Sequence, residues 1–225
     1  MKTFIRIVIL LLVLVLLGLW SPWLQWKIDF AKIFNVEKPD KISGLEVYSL
    51  LGDLEVTIDD VAQEGVASAT EDSGLIVDAI SPGEKSVTIK RKSEVSGAYW
   101  EYRDIVTFTE GLNTVISLGI GPEEEFSEGT VITAIEKTSE NYNLKLKADV
   151  TDFNLEIDGV SHSVDSNEYT QVIGLDMQHT IRVTKKGYES LEFTILPEDQ
   201  SDRDKLQNYI INVDLKLMLQ PVQIN

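Results

Sequence analysis

Asp53-Leu54-Glu55-Val56-Thr57-Ile58-Asp59-Asp60 and Asp152-Phe153-Asn154-Leu155-Glu156-Ile157-Asp158-Gly159 are the stretches whose reading decides the fold. Apolar and polar residues alternate through each. In a strand this places Leu54, Val56 and Ile58, or Phe153, Leu155 and Ile157, on one face and the polar side chains on the other. The second run ends on Asp158-Gly159, where the Asp side chain can bond backbone two residues ahead and Gly accepts a positive φ, which tightens a hairpin.

The two stretches belong to a longer internal repeat. Leu45 and Val47, upstream of the first, correspond at the same offset to Leu144 and Leu146, upstream of the second. Downstream, Ser86–Arg91 parallels Thr180–Lys185, and Gly97-Ala98-Tyr99 resembles Gly187-Tyr188, at smaller offsets as loop lengths change. Further period-two runs, Ile105, Val106, Phe108 and Val115, Ile116, Leu118, are separated by turn signals such as Ser81-Pro82-Gly83-Glu84 and Glu110-Gly111. The expected fold class is all-β, with two tandem small antiparallel β-sandwich domains of the common size of about 100 residues, at 42–121 and 130–225. The acidic run within 122–129, Glu123-Glu124-Glu125, reads as a linker between chain-bending residues. Thr130–Glu136 alternates again, and either opens the second domain or closes the first. The polar insertion from Pro197 to Lys205 is expected to be a solvated hairpin loop before a last strand from about Tyr209 to Leu219.

Ahead of these domains, Ile7–Leu19 is an unbroken apolar run preceded by Lys2 and Arg6. From Phe4 to Leu24 it is long enough to cross a hydrocarbon core of about 30 Å as a transmembrane helix. Trp20, Trp23 and Trp26 then fall where an aromatic membrane-interface belt belongs. The residues after the run, Leu17-Gly18-Leu19-Trp20-Ser21-Pro22, make a poor signal-peptidase site, which favours a retained anchor over a cleaved signal. Residues 1–27 are thus assigned to a cytoplasmic tip and anchor, and 28–41, broken by Pro39, to a juxtamembrane stalk. Positive residues before the helix place the amino end in the cytoplasm and the C-terminal domains outside it. Every acidic residue lies beyond Lys27, so the exported part is more acidic than the whole chain, whose formal net charge is −17. Such a surface repels nucleic acid. There is no cysteine, so neither a lipidated Cys nor a disulfide is available.

The stretch His179-Thr180-Ile181-Arg182-Val183-Thr184-Lys185-Lys186-Gly187-Tyr188, following the Ile157-Asp158-Gly159 turn, resembles the PEGA domain, and Ile58-Asp59-Asp60 with Ile80–Lys90 looks like the same elements in the first half. Gly52-Asp53-Leu54 and Thr151-Asp152-Phe153 stand where the family's namesake Pro-x-Gly-Ala would be. The resemblance implies a small β-sandwich of the kind displayed on bacterial and archaeal cell surfaces, as an accessory or adhesive module without catalysis.

Residues with chemistry to offer are few. His162 and His179 read as surface imidazoles, Asp59-Asp60 with Glu64 and Asp199 with Asp202 and Asp204 read as turns and solvated loops, and no cofactor, metal or catalytic group is expected. The aromatic cluster Tyr99, Trp100 and Tyr102 is the one candidate binding surface: alternation sets Trp100 and Tyr102 side by side, able to stack on sugar rings or on a partner's side chains if exposed, and core if not. The expected partners are the bilayer, through the helix, and an envelope protein or polysaccharide. A membrane-anchored hydrolase and an accessory subunit of an envelope complex are the rival functions.

Overall fold

A computed structural model of the chain describes residues 42–70 and 74–220. The expected anchor, its interface residues Trp20, Trp23 and Trp26, and the stalk lie outside the described residues; among those described, no helix is long and apolar enough to cross a membrane. The body is all-β. Its first half runs β1 (Ser43–Leu51), β2 (Asp53–Ile58), the two-residue β3 (Val61–Ala62) and β4 (Ala67–Ser68), β5 (Leu75–Ile80), β6 (Gly83–Arg91), β7 (Glu101–Phe108) and β8 (Asn113–Gly119). β9 (Glu128–Glu136) follows a single 3-10 turn at Glu124–Phe126. The second half runs β10 (Leu144–Ala148), β11 (Phe153–Ile157), β12 (Val160–Val164), β13 (Glu168–Gln171), β14 (His179–Thr184), β15 (Leu191–Ile195), a short helix α1 (Gln200–Lys205) and β16 (Tyr209–Lys216).

The repeat is visible in the pairing. β1 lies between β5 and β8 as β10 lies between β13 and β16, while β2 pairs with β3 and β6, and β6 with β7, as β11 pairs with β12 and β14, and β14 with β15. The register matches the sequence alignment: Val56 is opposite Ile89 and Leu155 opposite Val183. The hairpin turns match as well. Asp59 and Asp60 have φ of 47° and 64°, Asp158 and Gly159 of 50° and 82°, so both central residues take the positive φ that a two-residue turn between twisted strands requires. In each half the turn Asp side chain accepts a bond from the amide that opens the neighbouring ladder, Ser86 N to Asp59 Oδ1 and Thr180 N to Asp158 Oδ1, both at 3.0 Å.

Three features differ from expectation. The strands are not all antiparallel: β1–β8 and β10–β16 run parallel, because β8 and β16 return to the first sheet only after the chain has passed through the second. The stretch 122–129 is not linker throughout: its acidic run enters a 3-10 turn at Glu124–Phe126, and Glu128 and Gly129 already belong to β9. β9 is also neither opening nor closing strand. It pairs antiparallel with β8 on one side and β16 on the other, so both halves share one seven-stranded sheet, β13-β10-β16-β9-β8-β1-β5.

That central position sets where the cores lie. Ile116 is opposite Val131, and both join the first core with Leu45, Val47, Val87 and Ile89. Val115 is opposite Ile132, which is opposite Val213, and this face carries the second core with Leu144, Leu146, Ile181 and Val183. The two cores therefore occupy opposite faces of the shared sheet, and a pseudo-twofold axis along β9 relates the halves. A strand buried on both faces reads as a near-continuous apolar run, as Val131-Ile132-Thr133-Ala134 does.

Gly129 begins the seam, opposite Leu118 of one half and Lys216 of the other. A Cβ at this position would run into the Ser117 carbonyl oxygen. We expect Gly129→Ala to destabilise the body by about 2 kcal/mol, the usual cost of overpacking a fixed backbone, as a lower urea midpoint in a denaturation series; an unchanged midpoint contradicts the tight seam.

Candidate functional site

The aromatic cluster stands where β7 meets the second half. Tyr99, Trp100 and Tyr102 are all partly buried and pack against the first core. The Trp100 and Tyr102 rings meet edge to face, 6.1 Å between centroids. The neighbouring ring surfaces are taken by the chain's own cations: the Arg91 guanidinium sits 4.2 Å over Tyr99, and Lys216 Nζ lies 5.1 Å from the centroid of Trp100. Lys216 also bonds Glu124 at 2.9 Å and reaches Asp149 at 3.5 Å, so it ties the Trp100 side of the seam to the 3-10 turn and to the β10–β11 connection. Burial foremost, then the charges of Asp104 and Asp214, drive the Tyr102 phenol far above its ordinary range. Burial likewise raises the Asp214 carboxyl, against the hydrogen bond that Asn212 donates to it.

On the opposite face of the sheet, the corresponding place is open. A groove of about 470 Å³ runs over the outward side of β1, β8 and β9. Its floor is apolar, with Val115, Ile132, Ala134 and Ile211. Glu46 and Tyr48, outward neighbours of the core residues Leu45 and Val47, stand on one side. Both Glu46 oxygens are held by neutral donors, the Tyr48 hydroxyl at 3.0 Å and Asn113 Nδ2 at 2.8 Å. The Tyr48 phenol is raised, chiefly by burial and then by its bond to Glu46. Thr194 and Leu196, at the end of β15, form the other lip, continued by Pro197, Glu198 and α1.

This wall corrects the solvated loop expected at Pro197–Lys205. Arg203 of α1 is buried, and its guanidinium donates to the carbonyls of Pro197 and Glu198, to Asp176 O at 3.2 Å and to Gln200 Oε1 at 2.8 Å. A cation with that many carbonyl acceptors holds a short polar segment against the body that propensity alone would leave frayed. Of the other acidic residues singled out in the sequence, Asp59 pairs with Lys85 at 3.0 Å and Asp202 with Lys205 at 2.6 Å. Among the described residues, no three His, Asp or Glu side chains are grouped to hold a metal ion.

His179 is also not a surface imidazole. It is 7% exposed, with Nδ1 at 2.5 Å from Asp158 Oδ2 and Nε2 at 2.8 Å from Gly174 O. Both partners are acceptors, which only the doubly protonated ring satisfies. Burial works against that charge, but the bonds to Asp158 and Gly174 outweigh it and the pKa is raised above 6.5. The corresponding cation in the first half is Lys85, on Asp59. His162 is half-buried, its ring 5.2 Å from that of Tyr169.

No family model matches the chain, and no curated protein matches it. Among solved structures it is similar to the shaft pilin SpaA of Lactobacillus rhamnosus GG, at 9% identity and a TM-score of 0.20, over 82% of this chain and all of that one. So low a score carries no inference about fold or role.

The His179 proton gives a signed pH dependence. A raised folded pKa contributes stability that is complete below the unfolded value near 6.5 and is lost as pH rises through the folded value. Asp158, lowered first by its bond to His179, gives up its contribution only as pH falls through the carboxylate range. Between about pH 6 and pH 9 we expect the wild type to lose on the order of 1 kcal/mol relative to His179→Lys, a charged hydrogen bond discounted for the exposure of Asp158. Urea midpoints that stay parallel across that range contradict a charged His179.

Proposed function

We propose that this chain is a single-pass cell-envelope protein: an apolar helix within residues 1–27 holds it in the bilayer with its amino end cytoplasmic, and the all-β body stands outside as a structural or binding module without catalysis. The PEGA-like motifs fit such a module. What carries the reading is where the chain spends its titratable groups. Asp59 is lowered by Lys85, Glu101 by Lys90, Glu168 by Lys145 and Asp158 by His179, and each of these partners lies across a strand ladder or closes a turn. The lowered carboxylates are dispersed over both halves and serve folding. An acidic exterior keeps such a body soluble and apart from its neighbours on a crowded surface.

Membrane fractionation of cells carrying a C-terminal epitope tag tests this. The protein is expected to resist extraction from membranes by alkaline carbonate, and the tag to be removed by protease added to intact cells. A mature amino terminus downstream of Trp26, or a tag protected until lysis, would refute the anchored, exported reading.

A further inference from the structure

We propose that the groove over the shared sheet docks an extended segment of a partner protein, one that carries a lysine or arginine between aliphatic side chains and adds to β15 as a further strand. The inference rests on the reading of the chain as a binding module and states what the module takes.

Three observations lead to this occupant. The first is an edge. β15 is the outer strand of β12-β11-β14-β15 and has no ladder partner on its far side among the described residues, while Thr194 at its end forms a lip of the groove. An extended chain laid along such an edge gains main-chain hydrogen bonds, and alternate side chains then point down. They would meet the second feature, the apolar floor of Val115, Ile132 and Ile211. The third is charge. Glu46, Glu198 and Asp202 line the groove against Lys205 alone, and Lys205 is already bonded to Asp202. Glu46 is half-buried, with only neutral donors on its oxygens. A cation in the guest would complete it. A second copy would instead bring a further net charge of −17, and an uncharged guest would leave Glu46 without a counter-ion.

The site is also particular to one half. In the first, β7 and β8 are joined by residues 109–112 alone; in the second, the connection between β15 and β16 carries α1, fixed by buried Arg203, and so gains the wall that makes a groove of an open step.

The full chain in lipid nanodiscs is titrated with fluorescent seven-residue peptides of Val, Thr and Leu bearing a central Lys, Glu or norleucine, read by anisotropy, with amide exchange measured at Thr194. Lys peptides are expected to bind more tightly than either counterpart and to slow exchange at Thr194. Val115→Arg, which fills the floor, is expected to weaken them by about tenfold or more, and the near-isosteric Glu46→Gln by about fivefold. Ile105→Arg, on the exposed face of β7, is expected to leave binding unchanged. Equal binding of Lys and Glu peptides, binding indifferent to both groove variants, or a sedimenting dimer abolished by Val115→Arg overturns the proposal. Failure of the Lys peptides to bind a protein that is still displayed on cells overturns the groove alone. Cleavage of the bound peptide overturns the non-catalytic reading and leaves the docking site in place.

Discussion

The hydrogen bonds that β9 makes on both of its edges, to β8 and to β16, are the constraint on which the rest of the body depends. Because side chains alternate, a strand in that position sends Val131 into one core and Ile132 toward the other. A slip of one residue in either direction would exchange those faces and place a threonine where one of the two apolar side chains packs, Thr130 at the Val131 site or Thr133 at the Ile132 site. The parallel direction of β8 and β16, each antiparallel to β9, then leaves the halves no choice but to face opposite ways.

Much of each half is legible in the sequence because one face of every strand is buried. Leu54, Val56 and Ile58, or Phe153, Leu155 and Ile157, fix a register that cannot shift without exposing the core, and the Asp turns confirm it. The partners of β1 and β10 are not legible. Alternation states which side of a strand is buried, not which distant strand lies beside it, and so the parallel pairings and the shared sheet have no local signal. α1 is too short and too polar to show a helical period, and what holds it is the set of carbonyl groups around Arg203, which the chain supplies from Asp176 as well as from nearby residues. The pairing of His179 with Asp158 did have a signal: the repeat aligns it with Lys85, one position before the amide that each turn Asp accepts.

The frame is duplicated, but its two seams are not decorated alike. On one face Trp100 and Tyr102 close the step between the halves, with Lys216 near the Trp100 ring and Asp214 partly buried. On the other, the outward residues Glu46, Tyr48 and Val115 remain under an open groove because an inserted segment stands beside them instead of filling it. A symmetric scaffold thus supplies rigidity twice and carries a concave surface at the open seam, and the aromatic cluster that stands out in the sequence belongs to the closed seam rather than to the open one.

Native-state hydrogen exchange at the β9 amides tests the shared sheet most directly. If the halves are one body, the amides of Val131 to Ala134 that bond to β8 and β16 exchange only through global unfolding, with the same denaturant dependence as the cores on either side. Exchange of these amides well ahead of both cores, with each half still protected, would mean that the halves fold apart and that β9 merely connects them.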